Sequence, residues 1–339
     1  MISKVYEKMK KLIKENLTFF LFFFVILFIS TFEFPYYIDT PGGTIDVNSR
    51  ITITDAKTGS GSFHLAYVSE LKATIPTLIL AKLKSDWDII PKSDVVASNE
   101  SVADASFRDQ LMLKNANQNA IIVGFKKANQ KVEVTNQKYY VTYRLKESNT
   151  DLEVGDQILT VNQIPMTNTK QVATVLESLK IGDKVSFEVE KDKIQKTKTA
   201  TVISYKDTKI LGIMITKDQT VETDQTVTFH FKNSESGPSG GLIMSLSIYD
   251  LLSPNDLTCG KKIVGTGTID EDGTVGSIDG VKYKLKGAVK DKADLFLVPA
   301  GRNYEEATAY AKEQGYKLPI IAVSTFDEAV SYLENNCKK

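Results

Sequence analysis

Two short stretches of this chain hold the side chains needed to hydrolyse an amide without histidine. They are Gly237-Pro238-Ser239-Gly240-Gly241 and Gly280-Val281-Lys282-Tyr283-Lys284. Pro238 suits the first turn of a helix, because its missing N–H would have no partner there and its φ is preset. Gly237 marks the entry. Leu242, Ile243, Leu246, Tyr249 and Leu252 then recur at three- and four-residue steps, which predicts a helix with one buried face. Ser239 falls in its first turn, where free N–H groups and the positive end of the macrodipole would stabilise an oxyanion. Gly240 and Gly241 leave room for a substrate backbone. In the second stretch Val281, Leu285, Ala288 and Val289 share one side of a helix, and Lys284 joins them. A lysine among apolar neighbours loses hydration of its ammonium form, so a neutral amine becomes available as a general base. Taken singly, each stretch has a plainer reading: a Pro-capped helix, and a lysine whose stem covers apolar surface while its charge reaches water.

Other chemistries find less support. His64 and His230 are the only histidines, so no His-x-x-x-His zinc site exists, and a Ser-His-Asp triad would have to use one of them. His230 lies in the alternating run Val227–Phe231 and reads as a strand side chain. Cys259 and Cys337 read as two isolated thiols without a Cys-x-x-Cys pattern, too few for a disulfide framework. No Gly-x-x-x-x-Gly-Lys-(Ser/Thr) phosphate loop occurs, and no metal or cofactor is expected. Lys plus Arg and Asp plus Glu balance at 42 each, which argues against nucleic acid as a partner.

The elements that must position these residues are organised in steps along the chain. Residues 17–32 form an uncharged run rich in Phe and Leu, and it reaches spanning length with Glu33 to Tyr37 as interfacial residues. Lys4, Lys8, Lys10, Lys11 and Lys14 precede it, and no Lys or Arg follows before Arg50. The expectation is a basic cytoplasmic tail at 1–16, a single-pass anchor at 17–37 and an exterior remainder. A cleaved signal peptide fits less well, since no small-x-small site follows the apolar run. Residues 38–128 read as short strands, a helix near Ala73 to Lys84 and a helix from Ser106 to Ala128. Residues 129–204 hold Leu152-Glu153-Val154-Gly155-Asp156-Gln157-Ile158-Leu159-Thr160-Val161-Asn162, which resembles the Leu-x-x-Gly-Asp-x-Ile-x-x-Val-Asn signature of PDZ domains. That resemblance implies a peptide groove between a helix at Thr169 to Leu179 and an exposed strand edge at Tyr139, Tyr140, Val141, Thr142 and Tyr143.

From Asp207 onward the chain resembles the proteolytic domain of Lon-type Ser-Lys peptidases. The nucleophile block is Gly237-Pro238-Ser239-Gly240-Gly241. A second block follows as Thr266-Gly267-Thr268-Ile269, then Asp272-Gly273-Thr274-Val275-Gly276, then Gly280-Val281-Lys282-Tyr283-Lys284 and Gly287-Ala288. The resemblance implies Ser239 as nucleophile, Lys284 as base, Thr266 as the hydroxyl that orients the lysine, and Gly240 in the oxyanion region beside Gly237 and Pro238. Ser236 stands where an acidic residue is frequent, and Asp279 replaces one glycine of the usual pair. The order of anchor, PDZ-like module and peptidase at 205–339 resembles membrane-tethered proteases of Gram-positive bacteria. The expected fold class is α+β multidomain, with a transmembrane helix, a β-rich PDZ-like module and a Lon-type α+β proteolytic domain. The function implied is ATP-independent cleavage of secreted peptides or flexible exterior segments, with peptide or unfolded protein as substrate. Lon-like domains form rings, so a homo-oligomer is a further expectation. The rival from another class is an inert, membrane-anchored peptide-binding adaptor; a Ser-Lys signal-peptidase analogue fits the Thr266 block poorly.

Overall fold

The computed structural model describes residues 2–57, 59–95, 100–232 and 237–337, and the chain divides into two compact units of mixed α/β structure. The first unit takes residues 1–41 and 68–95. It carries the helices Ile2–Glu15 and Leu17–Thr31, the latter without a buried residue. Behind them Tyr36 to Asp39 pair antiparallel with Asp88 to Pro91, and a helix at Ile75–Leu83 closes a small core of Ile38, Ala73 and Ala81. Among the described residues no single helix is long and apolar enough to cross a membrane. Val5–Glu15 and Leu17–Thr31 pass that test together, with a 79° bend between them.

In the second unit, residues 42–67 and 96–339, a parallel sheet runs in the order Ile320–Val323, Leu295–Pro299, Lys262–Gly265 and the start of Ser62–Lys72. Leu295–Pro299 is an unbroken apolar run and is buried throughout, as expected of a parallel strand covered on both faces. Alternate side chains point to opposite layers. Phe63, Ile263, Leu295 and Leu297 pack into a core with the helices Val102–Lys127, Gly241–Leu252 and Phe326–Cys337. Ala66, Val264, Phe296 and Val298 pack on the other side against Val281–Lys290 and Arg302–Gln314. The serine helix and the lysine helix therefore lie on opposite faces of one sheet. Residues 42–67 and 102–127 complete this part of the fold: Ser62 to Leu65 hydrogen-bond alongside Lys262 to Gly265. Gly124 lets the long helix close on the serine helix, since a Cβ there would stand 2.6 Å from Ile248 Cγ2.

A second, antiparallel sheet in the same unit runs in the order Ile213–Thr223, Val132–Arg144, Gln157–Val161, Lys184–Lys191 and Ile194–Thr201. The helix Lys170–Glu177 joins it, Val172 packing into a core built on Val141, Ile158, Val185 and Phe187. This sheet continues past residue 204, because Ile213–Thr223 is its terminal strand. Two expectations are corrected here. Tyr139 to Tyr143 are not an exposed edge: Tyr139 pairs with Lys217 on one side and Ile158 on the other, and Tyr139, Val141 and Thr142 are buried. Pairing between segments so far apart in sequence is invisible to local pattern. Cys259 and Cys337 are not isolated thiols; they form a disulfide with Cα atoms 5.7 Å apart across a separation of 78 residues.

Candidate active site

The chain enters the serine helix through one 3-10 turn, Pro238–Gly240, and runs on as Gly241–Leu252. Gly237 takes φ +114° before the turn, a conformation open to glycine. Gly241 meets a closer constraint, since a Cβ there would stand 2.8 Å from Ile269 Cγ2 and 2.9 Å from its backbone nitrogen. The half-buried Ser239 and the buried Gly240 thus occupy this turn, within which Gly241 N donates to Pro238 O. The entrance also carries the positive end of the helix macrodipole, which favours a developing oxyanion beside Ser239.

Thr266 follows directly on the end of the strand Lys262–Gly265, at the carboxyl edge of the sheet where the two helical layers meet. This is the usual place for a site in an open α/β sheet. The Thr266 hydroxyl donates to the backbone carbonyl of Ser239 at 3.2 Å and accepts from Lys284 Nζ at 3.0 Å. Gly267 N donates to the same Ser239 carbonyl at 2.8 Å, and Leu242 N to Gly267 O at 3.1 Å, so two rungs clamp the serine turn to the threonine segment. Since 3.0 and 3.2 Å are the lengths of two bonds sharing one oxygen, Lys284 Nζ and the Ser239 carbonyl are no farther apart than those lengths laid end to end.

Lys284 comes from the helix Val281–Lys290, where Gly280 caps the start at φ +70°. The side chain is only 4 % exposed. Burial pushes its pKa down to about 8, against a weaker upward pull from Asp279. The direction of the hydrogen bonds has a chemical consequence. The single hydroxyl proton of Thr266 goes to the serine carbonyl, so the hydroxyl can only accept from the lysine. A neutral amine then gives one N–H to Thr266 and keeps its lone pair for another group.

Asp279, which stands where a glycine was expected, is exposed and pairs with Arg302 at 3.1 Å. Ser236 lies outside the described residues. Both nitrogens of His64 are engaged, with Thr44 Oγ1 at 3.3 Å and Ser62 Oγ at 2.9 Å, and burial followed by the Lys262 charge lowers its pKa. His230 is exposed and meets Thr52 Oγ1 at 3.2 Å. Among the described residues no three His, Cys, Asp or Glu side chains converge to hold a metal ion.

A cleft of about 450 Å³ adjoins Pro238 and Thr268. Its other walls come from Asn115 and Asn119 of the long helix, Met214 to Lys217 of the terminal strand, and Asp270. The terminal strand is partly closed off, since Asn115 Nδ2 donates to Lys217 O at 2.9 Å and Gln118 to Gln219 O. Sequence reasoning missed these wall residues. The available signal was polar Asn115, Gln118 and Asn119 spaced three and four apart on a helix otherwise patterned for burial.

In this mixed α/β protein a buried, hydrogen-bonded lysine thus lies beside a serine at a helix entrance, an arrangement whose chemistry is compatible with hydrolysis. Comparison with known proteins agrees at that level. The chain is 34 % identical over 99 residues to the Lon protease of Campylobacter jejuni subsp. jejuni serotype O:2 (strain ATCC 700819 / NCTC 11168), a match that covers 29 % of this chain and 12 % of that protein. No family model matches. The similarity supports a Lon-like protease and proteolysis as the class of activity.

Proposed function

We propose that this chain is a serine endopeptidase that works without ATP, with Ser239 as nucleophile and Lys284 as general base. The observation that supports this most is the Thr266 hydroxyl, bonded at once to the Ser239 carbonyl and to a buried amine. Lys284 takes the hydroxyl proton as Ser239 Oγ bonds to the scissile carbonyl carbon, and the N–H groups of the serine turn receive the oxyanion. The ammonium then protonates the departing amine as the C–N bond breaks. Water attacks the acyl-serine in the second half-reaction, giving its proton to Lys284, and Ser239 recovers its own from the same amine.

An extended peptide would lie in the cleft beside Pro238. In this reading the open part of the sheet edge, Ile213 to Thr216, takes the role first expected of Tyr139 to Tyr143, adding a substrate strand through main-chain hydrogen bonds. The PDZ-like module thus aids substrate binding. We further propose that Leu17–Thr31 anchors the chain in a membrane, with the basic tail cytoplasmic and the catalytic part outside. The Cys259–Cys337 disulfide suits an oxidising exterior.

The test is cleavage of an unfolded casein substrate by the full chain in detergent, without nucleotide. Cleavage by the wild type that is lost in Ser239→Ala and in Lys284→Ala, but kept in Lys282→Ala, is the expected result. Full activity in either of the first two variants overturns the assignment.

A further inference from the structure

The helix Ile2–Glu15 lies outside the catalytic machinery, yet its residues are sorted with unusual strictness. Placed 100° apart, Val5, Tyr6, Met9, Leu12 and Ile13 fall within about 120° of arc. Among the described residues nothing covers that stripe: each of the five is between 45 % and 61 % exposed. Glu7, Lys11, Lys14 and Glu15 take the opposite side. Lys8 and Lys10 stand at the two borders of the apolar arc, where long stems can lie along it while their charges reach water. With Lys4 the segment carries five lysines against two glutamates.

The following helix, Leu17–Thr31, departs from it at 79°. If that second helix runs along a bilayer normal, the first lies nearly in the plane of the membrane surface. Its 14 residues would form a marginal helix in water, but burying an apolar stripe at the headgroup boundary holds such a helix. The second helix has 15 residues, about 22 Å of rise, which is short of a hydrocarbon core of about 30 Å. A flanking amphipathic helix that sinks part-way into the boundary eases that mismatch.

We propose that Ile2–Glu15 is a lipid-binding surface: an in-plane helix that seats Val5, Tyr6, Met9, Leu12 and Ile13 among the acyl chains of an anionic leaflet, with its lysines among the phospholipid headgroups. This rests on the anchoring of Leu17–Thr31. The charge excess selects anionic over zwitterionic lipid.

The test uses the full chain in vesicles of phosphatidylglycerol and phosphatidylcholine. Both native cysteines are in the disulfide, so single cysteines introduced as Met9→Cys, Ile13→Cys, Lys11→Cys, Lys14→Cys and Val25→Cys can each carry an environment-sensitive fluorophore. The expected pattern is blue-shifted emission at 9 and 13, water-like emission at 11 and 14, and a blue shift at 25. In phosphatidylcholine alone the shifts at 9 and 13 should shrink while that at 25 persists. Uniformly wet labels at 9, 11, 13 and 14, with 25 still in hydrocarbon, would overturn the in-plane helix and leave the anchor standing. Uniformly apolar labels would overturn it too, by making the segment part of a longer span. A wet label at 25 would remove the anchor and the proposal with it. Thermal denaturation of each labelled protein, with the disulfide-containing unit as its own control, checks that the fold is kept.

Discussion

Replacing Lys284 by methionine should make the protein more stable and inactive. The reason lies in the cost of burying an amine. Its pKa falls from 10.5 to about 8 on folding, and at about 1.4 kcal/mol per unit the charged form is disfavoured in the native state by about 3 kcal/mol. A base whose folded pKa is depressed binds fewer protons folded than unfolded between those two values, so stability rises with pH across that window. Below pH 8 the penalty is present in full. Methionine fills similar space without charge, but it leaves Thr266 without its donor, a loss of about 1 kcal/mol. The net expectation is a gain of about 1–3 kcal/mol at pH 7, shrinking as pH approaches 10.5. Urea denaturation of the wild type and Lys284→Met at pH 7 and at pH 9.5 measures it. The same pKa sets the rate: about a tenth of the amine is neutral at pH 7, against well under a thousandth for a free lysine. Wild-type kcat/KM should therefore climb about tenfold per pH unit below 8 and level off above it. A methionine variant that is less stable at both pH values, together with a flat rate profile from pH 6.5 to 9, would mean that Lys284 is neither destabilised by burial nor the base.

Three further outcomes are expected. Thr266→Val removes the acceptor that aims Lys284 while Gly267 N still holds the serine carbonyl, so kcat/KM should fall on the order of 10- to 100-fold, and the lost hydrogen bonds should cost about 1–3 kcal/mol of stability, read by urea denaturation. Asp250 is buried, and burial, aided by the Asp256 charge, pushes its pKa up to about 6 although Leu257 N donates to it. A carboxyl raised in this way stabilises the fold below about pH 4 and loses that contribution as pH rises through 6. Asp250→Asn should flatten this dependence and add about 1–3 kcal/mol at pH 7, read by denaturation across pH 4 to 7.5. Breaking the Cys259–Cys337 bond in a double Cys→Ser variant should cost about 2–4 kcal/mol, and a reducing agent should shift the wild-type midpoint equally.

What could be read in the sequence was what is local. Pro238 and the glycines around Ser239 fix a helix entrance within five residues, and the three- and four-residue spacing about Lys284 fixes its burial, because both signals are set by backbone geometry alone. Leu295–Pro299 carries a local signal of the same kind, since it is apolar at every position and lies buried throughout. Long-range pairing was not legible. Whether Tyr139 to Tyr143 lies at an edge depends on Ile213–Thr223, more than seventy residues later, taking the place beside it. Ser62 joins Lys262 across about two hundred residues, so the segment before the sheet module could not be assigned to the peptidase part from pattern alone. The disulfide failed for the same reason: two cysteines with no local spacing carry no sign of meeting. At the amino terminus, counting lysines gave a basic tail and passed over the arc on which the apolar residues fall.

A nucleophilic Ser239 must become acylated during turnover, and mass spectrometry of an acid-quenched reaction detects that acyl group. The full chain, mixed with a peptide p-nitrophenyl ester and quenched within the first turnover, should carry the acyl mass on the proteolytic fragment containing Ser239 and on no other, with no adduct in Ser239→Ala. Peptide cleavage that continues while the adduct forms on a different residue, or persists in Ser239→Ala, would rule out Ser239 as the nucleophile.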